Sequence, residues 1–510
     1  MSIAVFCSRV LGLVRDQVMA AFFGTSFVND AFNIAFNIPN LLRRLFGEGA
    51  LSAAFVPIYN EYSLKRGKKF QLLFAINVLS ILSFILLVLT LLGVVFAPFI
   101  VKIIYPGLAE ETSLLAVKLC RIMFPYLFLI GLSSTFIAIL NSHNKFFITG
   151  LSSGLLNIGW ILMLFFGFFL LKKTEHDLIF YAAYGVMLGG FLQTVINLPF
   201  LKQIGYTFKV ILRFNTIAMK TLWTRFLPAM FGLGVREINL IADALIASFL
   251  PVGSISALGF ANRLMQLPLG IFGISIGTAA LPEYSRQFTD KRWADLSETV
   301  RFSMHFILYV LLPVSIIMIM GSDVFIRLIF QRGHFDETAV YMTKLALIFY
   351  SAGLCFYGLN QVITPLFFAT KDTKTPVKVG ACMVVLNISL SVTLMQFMAH
   401  AGLALSTSLT ALVQFTTLFT IIKKKQPDIK IINIKSNLIK LAAIVSGLVF
   451  VLWLFNRYYT PEHSLLNNLI KTCMFLLLAF VCLVASFQLL KPDYYKEISN
   501  KLVKKLTRKR

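Results

Sequence analysis

The chain has 510 residues, 58% of them hydrophobic and only 14% charged, with a mean hydropathy of +0.81. Soluble domains are about 45–50% apolar and about 25% charged, so these figures exclude a soluble enzyme or soluble binding domain. The formal charge of +25 gathers in loops and at the C-terminus between apolar runs, a placement that argues for a membrane surface and against nucleic acid as its partner.

Fourteen apolar segments follow one another, near 3–24, 28–60, 72–103, 113–140, 146–171, 178–201, 224–250, 255–285, 302–330, 338–369, 375–398, 401–422, 438–456 and 467–490. Most have the ~20 residues needed to cross a hydrocarbon core of about 30 Å. An outer-membrane barrel would instead show alternating segments of about ten residues. The first segment carries Arg9, Arg15 and Asp16 and lacks a small-residue cleavage site, so it reads as a span and not as a cleaved signal. Loops after even-numbered segments are basic: KRGKK (65–69), Lys145, the 202–225 stretch, Arg286 to Arg301, KDTKTPVK (371–378) and KKKQPDIK (423–430). Loops after odd-numbered segments, such as PGLAEET (106–112) and GHFDE (333–337), are acidic or neutral. Positive charge marks the cytoplasmic side. The expectation is therefore an even number of spans with both termini inside, and a tail KLVKKLTRKR (501–510) held at the inner leaflet.

The chain also repeats itself at an offset near 227. RVLGLVRDQVMAAFF (9–23) aligns with REINLIADALIASFL (236–250), setting Arg9 on Arg236, Leu13 on Leu240, Asp16 on Asp243 and Ala20 on Ala247. AFNIPNLLRR (35–44) and SAAFVPIY (52–59) are echoed by ANRLMQLPLG (261–270) and TAALPEY (278–284), and Asn157-Ile158 by Asn387-Ile388. Six segments per offset keep both copies in the same orientation, the parallel-repeat arrangement of transporters. The expected fold is an all-α polytopic membrane protein of about 14 helices, with two six-helix pseudo-symmetric lobes and two C-terminal helices. The corresponding boundaries are 1–215 for the N-lobe, 216–425 for the C-lobe, 426–490 for the last two helices and 491–510 for the basic tail.

Charges inside spans are costly, about 2.5–3.5 kcal/mol each at the bilayer centre on insertion scales, so they face a cavity or a partner. They concentrate in the first two segments of each lobe: Arg9, Arg15, Asp16, Asp30, Arg43, Arg44 and Glu48, then Arg236, Glu237, Asp243 and Arg263. Local pairing explains part of this, since Arg44 and Glu48 are i,i+4 neighbours and Arg236 and Asp243 lie two turns apart. Five arginines (Arg9, Arg15, Arg43, Arg44 and Arg263) nevertheless outnumber the acids around one expected cavity, and guanidinium forks suit phosphate oxygens. Gly47 and Gly49 flank Glu48, where they either let the helix unwind or pack closely against a neighbour. Asp243 with Asn387 and Thr407 offers oxygen ligands for Na⁺ or a protonation site.

No catalytic constellation emerges. The six cysteines (Cys7, Cys120, Cys355, Cys382, Cys473, Cys482) are scattered in apolar segments, the six histidines are dispersed, and no Walker A sequence occurs. No cofactor or firm metal site is expected, and GxxxG-like fragments carry no assignment in so apolar a chain.

SRVLGLVRD (8–16), the ND and AF of 29–32, PNLLRRLFGEGALSAAFVPIY (39–59), ANRLMQLPLGIFG (261–273) and KDTKTPVK (371–378) together resemble the MurJ/MviN family of bacterial lipid II flippases, within the multidrug, oligosaccharidyl-lipid and polysaccharide exporter superfamily. The resemblance spans essentially the whole chain. It implies two six-helix lobes plus two helices, a central cavity for the pyrophosphate and sugar of lipid-linked peptidoglycan precursor, and a groove at the last two helices for the polyprenyl tail. Functionally important family residues fall on Arg9, Arg15, Asp30, Arg43, Arg44, Glu48 and Arg263. It further implies lipid II and membrane lipids as partners, with the cell-wall synthesis machinery as a further one, and the bacterial inner membrane as location. Two positions depart from the family: Asn37 stands where a lysine is frequent, and the chain starts closer to SRVLG than its relatives do. Alternatives on the same architecture are an ion-coupled exporter of another polyprenyl-linked glycan or of drugs. A drug exporter would favour an acid-rich cavity over surplus arginine. Which of Arg43 and Arg44 meets a headgroup stays open, because adjacent helical residues point about 100° apart.

Overall fold

The computed structural model describes residues 2–44, 50–429, 435–458 and 465–490. Glu48 with Gly47 and Gly49, and the tail 491–510, lie outside them, as do the side chains of Arg236 and its neighbours 231–235. Among the described residues the regular structure is entirely helical, as a bilayer demands of a chain that must satisfy its own backbone groups.

In chain order the helices are α1 (Ser2–Phe23), α2 (Phe27–Arg43), α3 (Ala50–Arg66), α4 (Lys68–Val95), α5 (Ala97–Ile104), α6 (Glu110–Met123), α7 (Tyr126–Ser142), α8 (Phe146–Phe165), α9 (Glu175–Val195), α10 (Leu198–Gln203) and α11 (Ile217–Ala247). They continue as α12 (Ser254–Pro268), α13 (Ser275–Thr289), α14 (Trp293–Met320), α15 (Ser322–Phe330), α16 (Glu337–Ala352), α17 (Leu354–Ala369), α18 (Lys374–Met398), α19 (His400–Lys425), α20 (Lys435–Tyr458) and α21 (Leu465–Leu490). A π-helical turn, Leu269–Ile274, joins α12 to α13, and another, Phe166–Leu170, closes α8.

The repeat reappears element by element. Helix α4 recurs as α14, both of 28 residues. The pair α6 and α7 recurs as α16 and α17, and each pair is bent by 41° at its break. In the sequence repeat the α12–α13 π-turn, residues 269–274, aligns with 43–48. Around it, small residues serve close packing: a Cβ on Gly277 would lie 2.2 Å from the Gln361 carbonyl oxygen.

Nine described helices are long and apolar enough to cross a membrane, or eleven counting each bent pair as one span. These correspond to eleven of the expected segments. The remaining three fall on α1, on α2 with α3, and on α11, where ionic residues or short helices defeat a test by length and composition. The chain is a multi-pass membrane protein.

By contacts the chain divides into two units, Met1–Ser256 with Arg332–Phe335, and Ala257–Gln331 with Asp336–Arg510. In the first, α8 lies against α9 through Gly185 and Gly189: a Cβ on Gly189 would sit 2.7 Å from the Leu156 Cα, and one on Gly185 2.7 Å from the Trp160 Cα. This GVMLG run is a helix-packing motif of small residues, information that the sequence held but did not distinguish from other apolar fragments. Residues 332–335 return to this unit, where His334 N donates to the Ala21 carbonyl at 2.9 Å. In the second unit α20 packs on α14, where Asn456 Nδ2 donates to the Met320 carbonyl at 2.7 Å, and α21 packs on α15 with Phe475 edge-on to Phe325 at 5.7 Å.

Candidate functional site

Three groups of charged residues stand out in the first unit. The first is centred on Arg15, which is buried in α1. Its Nη2 and Nε donate to Asp16 Oδ1 at 2.6 and 3.1 Å, and its Nη1 donates to Asn157 Oδ1 of α8 at 3.1 Å. The guanidinium lies over the Trp160 ring, 4.4 Å from its centroid, and that ring packs on Phe32 and Phe36 of α2. A desolvated cation is held here by a counter-ion, an amide and a π-face at once. Asn157 and Trp160 sit one turn apart on α8, on the helix that the Gly185/Gly189 contact fixes. Neither was among the expected site residues. The signal for Asn157 was its place in the repeat opposite Asn387.

The second group is centred on Asp30, in the first turn of α2. Its Oδ2 accepts from the Gly253 backbone N–H at 2.6 Å, and its Oδ1 accepts from the Ser256 N–H at 2.8 Å and the Ser256 hydroxyl at 2.6 Å. Asp30 thus caps the start of α12 from another helix, giving donors at a helix N-terminus an anionic partner. Gly253 has φ +88°, and a Cβ there would lie 2.4 Å from the Thr25 carbonyl oxygen, so the turn that presents these N–H groups requires glycine. Asn29 Nδ2 donates to the Gly24 carbonyl at 2.6 Å beside it.

The third group lies at the other end of α2. Arg44 Nη1 stands 3.7 Å from Glu237 Oε2 of α11. Arg44, Asn37, Leu41, Tyr105, Leu240 and Ile241 line a pocket of about 100 Å³. Arg43 Nε donates to Asn40 Oδ1 at 2.8 Å, a bond within the last turn of α2. The two adjacent arginines therefore diverge: Arg44 turns to the pocket and to α11, Arg43 back along its own helix. Glu237 was noted as a charge but not as Arg44's partner, since the pairing joins residues nearly two hundred positions apart.

The other expected residues are more dispersed. Arg9 is exposed on α1, and Arg263 is exposed on α12 in the second unit. Asp243 of α11 accepts from Asn239 Nδ2 at 3.0 Å through Oδ2, while its Oδ1 is buried with no hydrogen-bond partner among the described residues. In the second unit Asn387 is buried in α18, with Oδ1 likewise unpartnered, and the Thr407 hydroxyl donates to the Leu403 carbonyl one turn back.

A sequence profile described as "Lipid II flippase MurJ" matches residues 19–474. A protein of Buchnera aphidicola subsp. Schizaphis graminum named "Probable lipid II flippase MurJ" is 34% identical over 467 residues, covering 90% of this chain and 88% of its own. One of the same name from Vibrio cholerae is 34% identical over 422 residues, covering 81% and 79%. A solved structure described as "Lipid II flippase MurJ, inward closed conformation" superposes with a TM-score of 0.79 at 29% identity, over 96% of this chain and 98% of that one. An inward-facing multidrug transporter of the MATE family shares the fold at a TM-score of 0.68 with 13% identity, covering 82% and 96% of the two chains. On this evidence the chain belongs to the lipid II flippase MurJ family.

Proposed function

We propose that the chain carries lipid II, a polyprenyl-pyrophosphate-linked peptidoglycan precursor, from the inner to the outer leaflet of the bacterial inner membrane by alternating access, with both termini in the cytoplasm. Family membership supports the substrate class. The observation that carries the mechanism is the Arg44–Glu237 pair beside its pocket, an ionic contact between two spanning segments, where an unpaired charge would be expensive. A pyrophosphate entering there offers Arg44 a more highly charged partner than one carboxylate, and Glu237 reclaims the arginine when the headgroup leaves. Arg9, Arg43 and Arg263 supply further positive charge to the headgroup. Arg15 and Asp30, each held by several protein partners, keep α1, α2 and the start of α12 in place. Related folds described as inward-facing and outward-facing support a cycle between two states. Net transport then draws on the membrane potential or on Na⁺ or H⁺ at Asp243, with Asn387 and Thr407 as further oxygen donors. Cells depleted of their own flippase test the proposal. Wild-type chain is expected to restore growth, and Arg44→Glu and Arg263→Glu to fail at equal expression. Normal growth with both variants would overturn it.

A further inference from the structure

Between the two halves of the repeat, residues 206–216 leave helical geometry and run across α4. The crossing is pinned by hydrogen bonds. Arg213 N donates to Asn77 Oδ1 at 2.8 Å, Asn77 Nδ2 donates back to the Arg213 carbonyl at 3.0 Å, and Ile211 N donates to the Ser80 hydroxyl at 3.0 Å. Tyr206 is buried and holds Phe208 edge-on at 5.2 Å. The rest of the segment faces outward. Phe208 is 51% exposed, Val210 82%, Leu212 47%, Phe214 48% and, at the start of α11, Ile217 80%.

Cations interleave with this apolar row: Lys209, Arg213 and Lys220 are all exposed, with Lys202 and Arg225 on either flank. No carboxylate occurs in the sequence between Asp177 and Glu237. Water is a poor match for five large apolar side chains on one short segment. The hydrocarbon core is a poor match for non-helical backbone. A symmetric second copy would set cations against cations, because an isologous contact repeats the same patch on both sides. A bilayer interface satisfies all three constraints, with apolar side chains at the acyl boundary and lysine or arginine at the phosphates.

We infer that residues 206–217 form an interfacial docking surface for anionic phospholipids of one leaflet, with Phe208, Val210, Leu212, Phe214 and Ile217 embedded and Lys209, Arg213 and Lys220 on the headgroups. The segment leads directly into α11, the helix that bears Glu237 and Asp243, so the leaflet holds the start of that helix. The inference needs only a chain that spans a bilayer, and its test uses vesicles without any lipid-linked precursor. Its failure and the failure of the transport reading are thereby distinct.

The full chain, with its six cysteines replaced by alanine and a bimane label at Val210→Cys, is reconstituted in phosphatidylcholine vesicles with or without phosphatidylglycerol. Nitroxide lipids and aqueous iodide serve as quenchers. With phosphatidylglycerol, lipid quenching is expected to exceed iodide quenching at least threefold. That ratio should fall by half or more in pure phosphatidylcholine and in the Lys209→Gln/Arg213→Gln/Lys220→Gln variant. Dominant iodide quenching would overturn the inference in favour of a solvated loop. Protection from both quenchers would overturn it in favour of a second copy or another protein. Lipid quenching indifferent to charge would overturn the anionic preference. The unlabelled native chain gives a second reading: detergent extraction from mixed vesicles should retain phosphatidylglycerol over phosphatidylcholine, and the triple variant should lose that enrichment.

Discussion

Arg44 at the end of α2 and Glu237 on α11 face each other at 3.7 Å, with Glu237 almost fully enclosed and the arginine side chain 29% exposed. The pair is asymmetric, since the acid is committed to the protein while the base retains an open side towards the pocket. Glu237→Gln keeps the shape and removes the competing charge. It is expected to strengthen headgroup binding severalfold while lowering turnover, because release loses its carboxylate. Native mass spectrometry of bound lipid II and a flipping assay in proteoliposomes check the two effects separately. A fall in both affinity and turnover would show that Glu237 assists binding.

Arg15 makes a different prediction. Its guanidinium has Asp16, Asn157 and Trp160 around it, and lysine cannot reproduce that planar fork. Arg15→Lys should therefore cost stability although charge is kept, and Trp160→Leu should remove a cation–π contact worth up to about 2 kcal/mol when desolvated. Both should lower the thermal midpoint in detergent. The double variant should lose less than the sum of the two, as partners in one network do.

At Asp30 the sensitive feature is acceptor count. Both carboxylate oxygens receive N–H or O–H donors, so asparagine would turn an NH₂ group towards a donor. Asp30→Asn is expected to destabilise nearly as much as Asp30→Ala, on the order of 1.5–3 kcal/mol for a lost charge-assisted bond. Gly253→Ala should give a loss of similar size, from its positive φ and its close approach to Thr25. Proteolysis at the turn before α12, measured against time, reports both.

Outside the spans, Asp372 offers a pH test. Lys425 Nζ donates to its Oδ2 at 2.6 Å and Thr375 donates through its hydroxyl and its N–H, which draws the carboxyl down to about 2. A folded-state value below the ordinary aspartate range means that the contribution is fully present above that range. It is lost as pH falls from about 4 towards 2. The contact is largely exposed, so its contribution should stay within about 1 kcal/mol. Thermal midpoints of wild type and Asp372→Asn should differ by a constant amount above pH 5 and converge below pH 3.

The Gly185–Gly189 contact predicts that Gly189→Leu pushes α8 from α9, because even a Cβ would lie 2.7 Å from the Leu156 backbone. Asn157 and Trp160 would move with α8. The variant should therefore share the lowered thermal midpoint of Arg15→Lys without touching any charge.

Much of this protein follows from its order of residues. Apolar run length and loop charge define a many-span helical chain, since a bilayer accepts few other backbones. The repeat was visible as matched residues and returns as matched helices, down to the two bent pairs. The charged residues in α1, α2 and α11 stood out because their neighbours are so apolar. Sequence alone did not give their partners. Arg44 has near neighbours in the chain, yet its described ion pair is with Glu237 on a helix far along it. The sequence sets Arg15 among five arginines of one expected cavity, and folding surrounds it with Asp16, Asn157 and Trp160. Asp30 stands among the charges of the expected cavity, and the structure adds the donors of Gly253 and Ser256 that its two oxygens accept. Periodicity and composition are local properties that a segment carries with it, whereas the choice between a ligand site and a structural contact depends on which donors another helix brings within 3 Å. Only the tertiary structure makes that choice.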